Sequence, residues 1–389
     1  VNLLAGEWYA SNPYDDWAWL RRESPVHWDE EGEVWGIARH EDVLAIEKDP
    51  RTFSSRRAPR PHGDPLPMMI SMDDPDHQRR RSLVNRGFTP RRIGELEDTV
   101  AGLCRQIVDD VAESGSCDAV WDLAARLPLL VIADLLGFDE EHYDDLLRWS
   151  DDMIRATTAD PAPEVADTAL RAMLGFRELQ LGVIEDRRAN ARDDLISILC
   201  AAEIEGHRLD DESIVQETLL LLIGGDETTR HVITGGLLAL LANPDQQAWL
   251  AADLDRLPVA VEELLRWVSP IKNMARTVTG DVELRGQQLH DGDQVILLYP
   301  SANRDEEVFD RPEVLDLSRE PNPHLAFGFG PHFCLGASLA RLELRLMFRE
   351  LLTRLPDIDL AGDTPYRPSN FISGPEAMPV RFTPSGVTA

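Results

Sequence analysis

Phe327-Gly328-Phe329-Gly330-Pro331-His332-Phe333-Cys334-Leu335-Gly336 is the stretch on which the reading of this chain turns. It sets one of the chain's four cysteines among three glycines, and small residues let the backbone wrap closely round something flat. Leu335, Leu339, Leu342 and Leu346 then recur at three- and four-residue spacing, which is one face of a helix beginning near Leu335. Cys334 therefore stands just ahead of a helix N-terminus, where the dipole and the free amides favour a thiolate. A lone cysteine in a glycine-rich turn is ordinarily an inert core residue. Phe327, Gly330, His332 and Gly336 at these offsets argue instead for a thiolate that binds a metal.

The other cysteines, Cys104, Cys117 and Cys200, form no C-x-x-C pair, which argues against zinc ribbons and thioredoxin-type redox chemistry. Sparse, unpaired cysteines fit a reducing cytoplasm. Val1 to Ala10 lacks a basic segment followed by a long apolar one, so no signal peptide is expected. The apolar run Leu219 to Ile223 is far too short for a membrane span. A net charge of −31 makes nucleic acid a poor partner and keeps the surface soluble. One segment reverses the sign: His77 to Gly94 holds six arginines and no acid. The 389 residues suggest two or three domains by length alone, yet no repeat or low-complexity tract divides them. A single domain over residues 1–389 is the expectation.

Helical patterns dominate. Ile93 to Val111 and Ala172 to Arg188 read as amphipathic helices. Asp210 to Ala242 predicts a helix roughly 50 Å long, with acids at its start and Asn243-Pro244 at its end. Gly224-Gly225 falls mid-helix, where each glycine costs about 1 kcal/mol relative to alanine, and is expected to interrupt it. Strand signals are few: Val34–Ala38, Gln294–Leu298 and a short hairpin around Arg285-Gly286. The proline-rich stretches Ala58–Pro67 and Thr158–Pro163 read as loops. The fold class is mainly α with small β-sheets.

Phe327-x-x-Gly330-x-His332-x-Cys334-x-Gly336 resembles the haem-binding signature of the cytochrome P-450 family. The likeness covers nearly the whole chain, most firmly Leu209 to Pro379. It implies the cytochrome P-450 fold, a long central helix over the cofactor, and haem b (iron protoporphyrin IX) with Cys334 as its axial ligand. Phe327, His332 and Gly336 fall among the haem contacts. Thiolate donation favours O–O cleavage, so the implied activity is that of a haem-thiolate monooxygenase.

Three further constellations match the family. In Leu222-Ile-Gly-Gly-Asp-Glu-Thr-Thr229, paired glycines allow close approach of a flat cofactor. A hydroxyl after them can turn into the helix groove, and an adjacent acid can relay protons. The segment resembles the oxygen-activation motif, with Glu227 and Thr228 catalytic, Gly225 against the haem and Gly224 at the substrate. Glu263-Leu-Leu-Arg266 resembles the family's structural Glu-x-x-Arg pair, with Arg319 as its third member. Two buried carboxylates need cations or donors, and His77, Arg81, Arg276 and His332 match the set that clamps the haem propionates. Arg79, Arg80 and Arg86 then form a basic patch on which an acidic ferredoxin can dock. The sequence holds no flavin, nicotinamide or iron–sulfur module, so electrons are expected from a ferredoxin, itself reduced by an NAD(P)H-dependent reductase.

Within the family the chain is most similar to actinobacterial enzymes that oxidise the terminal methyl of the cholesterol or cholestenone side chain. Leu66-Pro-Met-Met-Ile-Ser-Met-Asp-Asp-Pro75, Leu222-Ile-Gly-Gly-Asp-Glu-Thr-Thr-Arg-His231, Ser269-Pro-Ile-Lys-Asn-Met-Ala-Arg276, Asn322-Pro-His-Leu-Ala-Phe-Gly-Phe-Gly330 and Ser369-Asn-Phe-Ile-Ser-Gly-Pro-Glu-Ala-Met-Pro379 carry that likeness. Met68, Met69, Ile70, Ile271, Met274 and Phe371 would give an apolar, adaptable pocket wall. Arg56, Arg57 and Arg60 charge the loop that roofs it. Alternatives are a tailoring hydroxylase of a polyketide or other natural product, a peroxide-driven enzyme, which Glu227-Thr228 argues against, and a haem-thiolate sensor without turnover.

Overall fold

Asp210 accepts a hydrogen bond from the Ser213 amide at 2.8 Å and so caps the helix that organises the molecule, Asp211–Ala242. Asp211 and Glu212 occupy its first turn, and Asn243 ends it before Pro244. The structure is a computed structural model that describes residues 1–156, 161–204 and 206–384. Contrary to expectation, Gly224-Gly225 leaves the helix unbroken. A Cβ on Gly225 would lie 3.3 Å from Ile132 of a neighbouring helix, so close packing offsets the glycine's entropic cost.

The helices that matter for the site are α1 (His40–Lys48), α2 (Asp76–Val84), α3 (Arg126–Leu136), α4 (Tyr143–Arg155), α5 (Pro163–Ala189), the central α6 (Asp211–Ala242), α7 (Leu257–Val268) and α8 (Ala337–Arg354). Helices α3, α7 and α8 pack along α6 and share one apolar core that includes Leu222, Leu237, Leu264, Leu344 and Phe348. The expected helix over Ile93–Val111 is two helices, Pro90–Glu95 and Glu97–Ala112, meeting at Leu96. Of the loop expected at Thr158–Pro163, residues 158–160 lie outside the described residues.

A five-stranded sheet holds β1 (Val26–Asp29), β2 (Val34–Ile37), β3 (Phe53–Ser54), β4 (Asn273–Val278) and β5 (Gln294–Leu298) in the order β1-β2-β5-β4-β3. Only β2 and β5 pair in parallel. One face of this sheet packs on α1 through Val43 and Ile46, and the other on Leu3, Tyr9, Trp17 and Leu20. Strand β4 matters most here, because it carries Arg276 toward the cysteine loop. Among the described residues no helix is long and apolar enough to cross a membrane.

Candidate active site

The cysteine loop is built on two glycines that no other residue would replace without strain. Gly328 and Gly330 have φ of +64° and +69°. A Cβ on Gly330 would also run into the backbone carbonyl of Glu47 in α1. The Cys334 amide closes the loop by donating to Phe327 O at 2.9 Å. Helix α8 begins at Ala337, two residues later than Leu335, because Gly336 serves as its N-cap. That leaves the Gly336 amide free to donate to the Cys334 sulfur. Burial pushes the Cys334 thiol above its ordinary range, and the Gly336 amide, Arg81 and Arg341 oppose that rise. Arg341 is held over the Phe327 ring, 4.6 Å from its centroid, and pairs with Glu262 at 2.7 Å.

Beside this loop the structure gathers four basic side chains from three elements. His77 and Arg81 lie on α2, Arg276 on β4 and His332 in the loop. The His77 and His332 rings stack with centroids 4.1 Å apart. Arg81 reaches the Phe333 carbonyl. Burial first, then Arg276, His77 and Arg81, pull His332 down to about 2. Among the described residues no carboxylate lies within ion-pair distance of Arg81, Arg276 or His332, and Asp74 stands 3.5 Å from His77 Nδ1. The acid that acts on Arg276 is Glu47, which burial pushes up to about 7. His77 Nε2 is buried with no partner. A group with spare positive charge and an orphaned nitrogen, next to a cradled thiol, fits a flat cofactor that carries two carboxylates and takes one thiolate ligand. Haem b is that kind of molecule.

On the central helix, Thr228 Oγ1 donates to Gly224 O at 2.8 Å. The hydroxyl thus turns into the helix groove as the sequence suggested. Gly224 is exposed, and a Cβ there would meet nothing within 4 Å. Of the two glycines it is therefore Gly224 that offers open backbone, whereas Gly225 is spent on contact with α3.

Glu227 is fully buried. Burial alone would raise its carboxyl, but Arg230, His231 and Arg367 surround it and hold it well below the usual range. Arg367 also binds Asp151 at 2.7 Å and Glu376 at 3.4 Å. Asp151 in turn binds Arg155, whose side chain is 45% exposed. The acid beside Thr228 is therefore the inner end of a charged chain that reaches solvent. On an adjacent flank of the helix, burial pushes Asp226 up. Burial likewise pushes Glu343 of α8 up to about 8 against the pull of a hydrogen bond from Thr229, with Asp226 adding to the rise.

The Glu-x-x-Arg residues come together as expected. Glu263 receives Arg266 through two bonds of 2.8 Å and Arg319 at 3.1 Å, and the Asp316 amide and Asn322 complete its shell. The expected pocket residues divide between two cores: Met68, Met69 and Ile70 pack with the helices, Ile271 and Met274 with the sheet. Phe371 lies under Arg60, whose guanidinium carbon is 4.6 Å from the ring centroid. Arg80 does not belong to the exposed basic patch. It turns inward to Glu217 of α6 at 3.4 Å, because that buried carboxylate also accepts the Met69 amide at 2.9 Å and needs a cation. Arg79 and Arg86 are exposed. Sequence reasoning passed over Glu217, Glu343, Arg230 and Arg367. An acid or arginine at a helix position flanked by apolar residues was the available signal, and it does not name the partner.

Residues 163–356 match the family model described as Cytochrome P450. The chain is 47% identical to the "Steroid C26-monooxygenase" of Mycobacterium tuberculosis H37Rv, covering 99% of this chain and 98% of that one. It is 38% identical to the "Methyl-branched lipid omega-hydroxylase" of Mycobacterium bovis, covering 94% and 90%. Among solved structures, a cytochrome P450 from Chondromyces apiculatus superposes with a TM-score of 0.91 at 35% identity, covering 99% of each chain.

Proposed function

Since the chain belongs to the cytochrome P450 family and is a haem-thiolate monooxygenase, we propose that its substrate is a steroid hydroxylated at the terminal methyl of its side chain. The observation that carries this reading is the 47% identity, over 99% of the chain, to a protein named for C26 oxidation of steroids. The methionines Met68 and Met69 of the expected pocket wall support it, since unbranched, polarizable side chains adapt to a long apolar ligand. Terminal oxidation of a methyl-branched lipid is the second reading, favoured by the 38% relative.

When bound, haem b supplies reductive activation of O₂ and insertion of one of its atoms into a C–H bond. Cys334 is the group that would hold the iron, with the Gly336 amide keeping its sulfur anionic. His77, Arg81, Arg276 and His332 would hold the propionates. Thr228 Oγ1 would hold the proton to be delivered, and the open backbone at Gly224 would let the cofactor approach the central helix. Glu227, at the inner end of the charged chain that Arg367, Asp151 and Arg155 carry to the surface, would accept a proton arriving from solvent and pass it to Thr228. The apolar wall of Met68, Met69, Ile70, Ile271, Met274 and Phe371 orients the substrate and excludes water. Electrons reach the site from a ferredoxin docking near Arg79 and Arg86, and the whole chain works as one unit in the cytoplasm.

Titrating the haem-loaded protein with cholest-4-en-3-one tests the substrate. Saturable conversion of the haem to high spin is the expected result. A spectrum that does not change with the steroid, but does with a methyl-branched fatty alcohol, replaces the first reading by the second. Thr228→Ala tests the relay. With ferredoxin and reductase, NAD(P)H consumption should persist while hydroxylated product falls about 10²-fold. A fully coupled variant overturns Thr228 as the proton carrier.

A further inference from the structure

Lys48 and Lys272 are the two lysines of the chain, against 37 arginines and 70 acids. Lys48 is on the surface, while Lys272 is 2% exposed. Its Nζ donates to Val268 O at 3.3 Å and Ser269 O at 3.1 Å, the carbonyls that end α7. An ammonium has three hydrogens, and the third has no acceptor among the described residues. No carboxylate pairs with it either. The charge that acts on it is another cation, Arg304, and burial together with that charge pulls Lys272 down to about 7.

This lysine lines a cavity of about 260 Å³ between the C-terminal half of α6, the end of α7 and the turn at Ser373–Pro375. Tyr14, Trp267, Tyr366 and Leu238 supply much of the wall, and no acid is among its lining residues. A wall free of acids is notable in a chain of net charge −31. The volume sets the ligand's size. A cavity of ~150 Å³ takes benzene, and drug-sized ligands need roughly 300–1,000 Å³. A single ring with one short substituent fits, and a steroid does not. The chemistry sets its charge. A buried ammonium with an unused hydrogen and a cationic neighbour lacks an anion, and three aromatic rings favour a planar, unsaturated body.

We propose that this cavity is a second small-molecule site that binds an aromatic monocarboxylate of benzoate size, with its carboxylate on Lys272 Nζ and its ring among Tyr14, Trp267 and Tyr366. The site is separate from the monooxygenase pocket and goes beyond the function proposed above.

The test titrates 4-fluorobenzoate into the haem-loaded enzyme and follows its fluorine NMR signal, with the haem spectrum recorded in parallel. Saturation with a dissociation constant below about 1 mM and no change of the haem spectrum is expected. Lys272→Met should weaken binding at least tenfold. Should that variant fail to fold, Ala242→Trp places an indole at the exposed rim of the cavity and should abolish binding without touching the lysine. Reductive methylation followed by mass spectrometry gives a further readout, in which 4-fluorobenzoate protects Lys272 and leaves Lys48 reactive. No saturation by 10 mM, unchanged affinity in both variants, or displacement of the fluorobenzoate by the steroid overturns the proposal.

Discussion

Two charged regions flank the proposed haem position, and they are balanced in opposite ways. Behind Thr228, Glu227, Asp151 and Glu376 meet Arg230, Arg367 and Arg155, acid for base. Beside Cys334, two arginines and two histidines face Glu47, whose carboxyl burial pushes up to about 7, and Asp74 at the exposed edge beside His77. Removing two charges from water costs several kcal/mol per ion unless each finds a partner. The first region finds its ionic partners within the protein, although Arg230 Nε and Nη1 are buried without a hydrogen-bond partner. The second leaves positive charge over and therefore owes part of its stability to a ligand. The Glu263 site is the limiting case of the first kind: carboxylate and guanidinium of Glu263 and Arg266 are both 0% exposed and fully bonded to each other and their neighbours.

The comparison is broken most severely at Glu263. Glu263→Gln strips the charge from an acid that holds Arg266, Arg319 and Asn322 together. Leaving Arg266 buried and uncompensated costs about 3–5 kcal/mol, a large share of the 5–15 kcal/mol that holds an average protein folded. The expected outcome is loss of soluble haem-loaded protein, read from the haem absorbance per unit of total protein. A variant with wild-type yield and melting temperature would mean that the triad is ornamental.

Arg276→Leu is the matching experiment on the unbalanced side, and there the sign depends on the ligand. In the holoprotein it removes a cation from the proposed propionate clamp, worth about 1.5–3 kcal/mol for a hydrogen bond to a charged group. Haem transfer to apomyoglobin should then be roughly tenfold to a hundredfold faster. In the apoprotein Arg276 has no carboxylate within ion-pair distance among the described residues, so the same change breaks no ion pair and urea unfolding should stay within about 1 kcal/mol of wild type. Equal destabilisation of both forms would show that the cluster is held by the protein alone.

These contrasts explain how much was legible in the sequence. The cysteine loop, the central helix and Glu263-x-x-Arg266 are local patterns, in which a few residues at short spacing carry the chemistry. The Asp210 cap and the left-handed glycines at 328 and 330 are equally local. Arg80 was misassigned because its partner, Glu217, is 137 residues away and a run of arginines does not say which of them turns inward. Arg367, 140 residues beyond Glu227, was invisible for the same reason. Long-range pairing was the part that spacing could not supply.

Between balanced and unbalanced sites stands a third case, acids with too few cations, and it predicts a pH effect. Glu343 is fully buried next to Asp226, and burial pushes it up to about 8. A folded-state value above the unfolded one near 4.5 means that its stabilising contribution is complete below about 4.5 and is lost as pH rises toward 8. Glu343→Gln keeps the shape and removes the titration. The variant should match wild type at pH 4 and exceed it by about 1–2 kcal/mol at pH 8, read from chemical unfolding at both values. A wild-type advantage that grows with pH would reverse the assignment and make Glu343 an ionised partner of some cation.

The smallest effect on stability is expected where a charge has no internal role at all. Arg86 is exposed and forms no ion pair among the described residues. Exposed charges contribute little to folding, so Arg86→Glu should leave the melting temperature unchanged, with a free-energy difference below about 0.5 kcal/mol. Its effect belongs to encounter with the proposed acidic electron donor. The KM for ferredoxin should rise about threefold to tenfold at low ionic strength, while kcat at saturating ferredoxin is unchanged, and the gap should close near 0.5 M salt as screening shortens the reach of the charge. An effect that survives high salt would mean that Arg86 makes a close contact in the docked complex instead of steering the approach to it. An unchanged KM at low salt would move the docking surface away from Arg86. The same residue type thus has three fates in this molecule: consumed by an internal acid at Arg266, available to a cofactor at Arg276, and available to a partner at Arg86. Burial and the nearest carboxylate decide among them.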